Sequence, residues 1–80
     1  MNKFYKSTSN DRVVKYNKET NKLELYWIND NMVRIIYEYN QENSIGKVEE
    51  QIDFGFFIEC LESDFQNFKT SVMQKLNETN

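Results

Sequence analysis

The stretch "IDFGFFIECLESDFQNF", residues 52–68, holds five of the chain's six phenylalanines, and its reading decides the fold. From Phe57 onward the apolar residues fall at Phe57, Leu61, Phe65, Phe68, Val72 and Leu76, in steps of 4, 4, 3, 4 and 4. That spacing is one stripe of an α-helix. It predicts an amphipathic helix over 55–77, with Asp53 as its cap. Glu59 and Glu62 then lie toward the positive end of the helix dipole, and Lys69 and Lys75 toward the negative end. "SDFQ", residues 63–66, has the form of a capping box, so a kink near Ser63 is the alternative.

Upstream the period is two. "KLELYWI", 22–28, sets Leu23, Leu25 and Trp27 on one face and Glu24, Tyr26 and Ile28 on the other. "NDN", 29–31, is a turn by composition, and "MVRIIYEYN", 32–40, alternates again. These two runs read as a hairpin. "RVVKY", 12–16, is a short β-branched strand, separated from the hairpin by the turn "NKETN". "KVEEQIDF", 47–54, reads as a fourth strand with Val48, Ile52 and Phe54 on one side. Glu50 falls on that same side, which places the strand near the sheet edge. Residues 1–11 lack periodicity and read as a flexible arm.

The expected fold is therefore α+β. It is an antiparallel sheet of three to four strands, in the order β-β-β-β-α, with one long C-terminal amphipathic helix packed on one face. Residues 1–80 form one small domain, with an arm at 1–11, the sheet over 12–54 and the helix over 55–77. One helix covers one face. Tyr26, Ile28, Met32 and Ile36 would then lie on the other, mixed with Glu24, Arg34 and Glu38. Such a half-apolar face invites a partner protein, a homodimer, or cover by Phe4 and Tyr5. Packing explains four phenylalanines of the opening stretch. Phe56 is left over as a candidate for exposure.

Charge is asymmetric. The net charge is −3, yet residues 1–22 carry six Lys or Arg against two acids, and residues 41–64 carry seven acids against Lys47 alone. Such a pattern can steer a charged partner. Glu49, Glu59 and Glu62 represent this acidic segment among the partner-binding candidates, beside Tyr26, Ile28, Met32, Arg34, Ile36 and Phe56.

Catalytic chemistry has little to work with. The chain has no histidine and one cysteine, Cys60, so a Cys–His nucleophile pair and thiolate or imidazole metal sites have no residues to form them. Its two glycines, Gly46 and Gly55, make no phosphate-cradling loop. No enzyme activity, cofactor or metal is expected. A lone thiol, no apolar run of membrane-spanning length and no signal-like N-terminus fit a cytoplasmic protein. The absence of alanine and proline beside abundant asparagine, lysine and isoleucine fits an A/T-rich genome, as in a low-GC bacterium or its phage.

The expected function is a small non-enzymatic protein-binding module. Phage or mobile-element accessory proteins and inhibitors work in this way. The alternative is a sheet that binds single-stranded nucleic acid. The order of four strands and a helix resembles the PC4-like single-stranded-DNA-binding fold, which dimerises. Tyr16, Tyr26, Trp27, Tyr37 and Tyr39, with Lys15, Lys18, Lys22 and Arg34, would form its stacking platform. A sequence pI of 4.9 opposes phosphate binding. The junction "IDFGFFIECL" is similar to the end of SMI1/KNR4-type immunity domains, which are longer than this chain.

Overall fold

The structure, a computed structural model, describes residues 1–29, 32–39 and 44–78, and within these the side chains of 29, 34–39, 44 and 78 lie outside the description. Five strands form one antiparallel sheet: β1 (Lys3–Ser7), β2 (Arg12–Asn17), β3 (Lys22–Asn29), β4 (Met32–Tyr39) and β5 (Phe57–Glu59). Their spatial order is β4-β3-β2-β1-β5. Helix α1 (Ser44–Asp53) lies between β4 and β5 in the chain, and helix α2 (Glu62–Glu78) follows β5. The α+β class and the C-terminal helix on one sheet face are as the sequence predicts.

Three segments differ, the first being the start of the predicted helix: residues 57–59 are strand β5, and the helix begins at Glu62 rather than at 55. Residues 3–7 are a paired strand rather than part of an arm, with Tyr5 opposite Val14 in β2 and Glu59 in β5. Residues 47–53 are helical rather than extended. Ile45, Val48 and Ile52 recur at steps of 3 and 4, which suits a helix. As a helix, the segment buries Ile45 and Val48 and leaves Glu50 in solvent. A strand would have put Glu50 beside Val48.

This second helix changes which surfaces are free. Val14, Tyr16, Leu23 and Phe57 pack with Ile45 and Val48 of α1 on one sheet face. Val13 and Tyr26 pack with Phe65 and Val72 of α2 on the opposite face, joined by Phe4, Ile28, Phe68 and Met73. Tyr26 meets the Phe65 ring edge-on at 5.7 Å, and Phe4 lies 5.5 Å from the same ring. Each face therefore carries a helix, and α2 sits on the Tyr26 face, not on the Leu23 face.

The hairpin register explains the exchange. Tyr26 is opposite Ile35, Ile28 opposite Val33, Leu25 opposite Ile36 and Trp27 opposite Arg34. Ile36 thus belongs at Leu25's register position, and grouping it with Tyr26 is off by one residue.

Polar contacts tie the layers at their rims. The Tyr26 hydroxyl donates to Glu24 at 2.9 Å, and the ammonium groups of Lys15 and Lys69 approach Glu24 at 3.3 and 3.6 Å. Burial pushes the Glu24 carboxyl up, but these donors outweigh it and hold the group below its ordinary value. On the other face Lys18 pairs with Glu49 of α1 at 3.1 Å.

Candidate functional site

Chain geometry between the two helices concentrates exposed apolar surface at one sheet edge. Helix α1 ends in a Schellman motif: the Phe56 N–H donates to Gln51 O at 2.9 Å and the Gly55 N–H to Ile52 O at 3.0 Å. Gly55 takes φ +83°, a conformation that side chains disfavour. The chain then enters β5 and leaves it into α2 on the opposite face. At that start the Leu61 carbonyl accepts from the Phe65 N–H, and the Asp64 carboxylate accepts from the Leu61 N–H at 3.1 Å. The helix therefore begins at Glu62, so the sequence signal near Ser63 marks its first turn and not a kink. Asp53 is the last residue of α1, not a cap for α2.

Four large apolar residues lie exposed along this path: Phe54 at 66%, Phe56 at 56%, Ile58 at 47% and Leu61 at 70%. Among the described residues only Met1, Met32 and Leu76 are comparable, and they are scattered along the chain. The Phe54 and Phe56 rings are 6.3 Å apart. Taking ~200 Å² as a full aromatic side chain, they leave roughly 250 Å² in water. That is just short of the roughly 300–600 Å² of a typical monomer's largest apolar patch, before Ile58 and Leu61 are counted.

The backbone of β5 is half used. Cys60 N–H donates to Phe4 O and Thr8 N–H to Phe56 O, each at 3.0 Å, and Ile58 stands opposite Lys6. In an antiparallel ladder alternate residues bond to alternate sides. The N–H and C=O groups of Phe57 and Glu59 therefore face away from β1, and β5 is the last strand of the sheet. Glu59 of β5 and Glu62 and Asp64 of the first turn of α2 are exposed here, and Glu50 and Asp53 are exposed on the last turn of α1.

The sequence candidates sort as follows. Phe56, Glu59 and Glu62 fall along this path, although Glu59 lies in β5 and only Glu62 stands in the first turn of the helix. Glu49 lies on α1, half-buried and paired with Lys18. Tyr26, fully buried, and Ile28, packed beside it, are core under α2, so they form no open face. Met32 is exposed at the start of β4, opposite Asn29. The side chains of Arg34 and Ile36 lie outside the described residues. Phe54, Ile58 and Leu61 are the members that sequence reasoning missed. Read as core, Phe54 and Leu61 are instead thrown outward by the Schellman turn and the start of α2.

Other chemistry-bearing groups have structural duties. The buried Ser7 hydroxyl accepts from the backbone N–H groups of Asp11 and Arg12 and donates to Asp11 Oδ1 at 2.9 Å. Ser9 and the Trp27 indole also donate to Asp11. Burial pushes Asp11 up, but these donors and the Arg12 guanidinium hold it below its ordinary value. Arg12 sits over the Trp27 ring at 5.3 Å and the Phe57 ring at 5.5 Å. Burial and the neighbouring Asp64 and Glu59 push the half-buried Cys60 thiol up, against Lys6. A raised thiol is a poor nucleophile. Tyr16 and Tyr26 are buried, so neither ring is free to stack on a base.

Among the described residues no helix is long and apolar enough to cross a membrane. The chain matches no family model, no curated protein and no solved structure.

Proposed function

We propose that this protein works by contact with another protein, through the β5 edge and its flanks. The observation that carries the reading is the clustering of Phe54, Phe56, Ile58 and Leu61 in solvent within eight residues, in a chain whose two sheet faces each carry a helix. Single exposed apolar residues have no meaning, but a cluster rimmed by charge marks interaction surfaces. Catalysis has no support in this arrangement, because the groups at the edge are carboxylates, the Lys6 ammonium and a poorly reactive thiol. The burial of Tyr16 and Tyr26, and the carboxylates around β5, weigh against single-stranded nucleic acid as the ligand.

A photo-crosslinking residue placed at Phe56, and in parallel at the exposed Gln74 of α2, tests the reading in cells that produce the protein. Adducts specific to position 56, lost on Phe54→Ser, are expected. Equal adducts from both positions would contradict it. So would a thymine oligonucleotide that perturbs the amides of 54–61 at low salt.

A further inference from the structure

Resting on that reading, we infer that the partner docks by adding an extended, basic segment as a sixth strand beside β5. Three observations meet at this edge. The first is backbone valence: Phe57 and Glu59 present N–H and C=O groups away from β1, spaced as a partner strand requires.

The second is the alternation of side chains. Ile58 stands opposite Lys6 on the α2 face, and Glu59 opposite Tyr5 on the α1 face. An incoming strand therefore meets apolar surface on one side, from Ile58 and Phe56, and a carboxylate on the other. A segment that alternates apolar and basic residues matches both at a period of two.

The third is charge. Residues 49–64 carry six carboxylates and no lysine or arginine. Five of the six are exposed, Glu49 being the half-buried exception. This decides between occupants. A second copy pairing β5 to β5 would set two such acidic stretches together, and like charges across a strand pair repel. A very short edge strand that carries a charge, here three residues with Glu59, is a known device against self-pairing. A Lys- or Arg-bearing strand meets attraction instead.

The test uses the whole chain, isotope-labelled, with the heptapeptide Lys-Val-Lys-Ile-Lys-Val-Lys as probe. Its controls are the same peptide with Glu for Lys, and the same peptide N-methylated along one edge so that it cannot extend a ladder. The basic peptide is expected to slow amide exchange at Phe57 and Glu59 and to shift the amides of 54–61. The acidic peptide should do neither, and the N-methylated one should bind roughly tenfold more weakly. The double variant Glu59→Lys, Glu62→Lys, at two exposed positions, takes the stretch from six net negative charges to two and should shrink the preference for the basic peptide over the acidic one.

Equal binding of the N-methylated peptide, with shifts at Phe54 and Phe56 but no protection at Phe57 and Glu59, would overturn strand addition. It would leave the protein-contact reading standing. No response at 54–61 overturns strand addition too, and it takes the broader reading with it only if crosslinks form equally from positions 56 and 74. Protection at Phe57 and Glu59 that grows with protein concentration, without peptide, would assign the edge to a second copy and overturn the basic partner.

Discussion

Asp11 shows how much a single short loop rests on one carboxylate. It accepts from the Ser7 and Ser9 hydroxyls and the Trp27 indole, and so links the β1–β2 turn to β3. Asp11→Asn should cost about 1 kcal/mol near neutral pH, discounted for the partial exposure of the group. Because its folded pKa is depressed, its contribution is present above the ordinary carboxylate value and is lost as pH falls through the folded value. The gap between wild type and variant should therefore close on acidification, as checked by urea melts across pH. The two glycines make a second residue-scale pair. A Cβ would meet nothing within 4 Å at either one. Gly55 has φ +83°, so Gly55→Ala should destabilise by ~1–2 kcal/mol through conformation alone. Gly46 lies in α1, so Gly46→Ala should stabilise by about 0.5–1 kcal/mol. Thermal unfolding separates the two signs.

Helix α1 is the element on which sequence reading and structure part. The hairpin over 22–39 and the C-terminal helix are legible because each keeps one period long enough to be decisive, the helix through Phe65, Phe68 and Val72. Residues 44–53 are short, and Val48, Ile52 and Phe54 fit a strand as well as Ile45, Val48 and Ile52 fit a helix. Glu50 was the discriminating signal: it conflicts with a strand and is harmless in a helix. Once α1 is taken for a strand, one sheet face looks bare and Tyr26 looks available. The β5 edge itself could not be found, because three residues carry no period and Phe57 lies on the helical spacing by coincidence. Ile45→Ala should cost about 2–5 kcal/mol, as a buried aliphatic under α1, whereas Lys47→Ala on the exposed side should stay within about 0.5 kcal/mol. Equal, small effects in denaturant melts would mean that α1 does not pack on the sheet. Phe65→Ala, beneath α2, should cost about 3–5 kcal/mol and unfold much of the population of so small a domain.

At the scale of the molecule, each sheet face carries a helix, and among the described residues exposed apolar side chains and carboxylates collect at the β5 edge. The closed α1 face makes its own prediction. Burial, with Tyr5 and Glu49 nearby, pushes the Tyr16 phenol up to about 12. With the folded value raised, stability is full below the unfolded tyrosine value and falls as pH rises toward 12. Phenolate absorbance should show a late-ionising tyrosine that Tyr16→Phe removes, together with the loss of helix signal. The central claim, that β5 is a strand bonded on one side and open on the other, is tested most directly by residue-resolved amide exchange on the free monomer. The account predicts protected amides at Ile58 and Cys60 and fast exchange at Phe57 and Glu59. Four protected amides would mean that the edge is already covered, four fast ones that β5 is not paired to β1, and either result would contradict it.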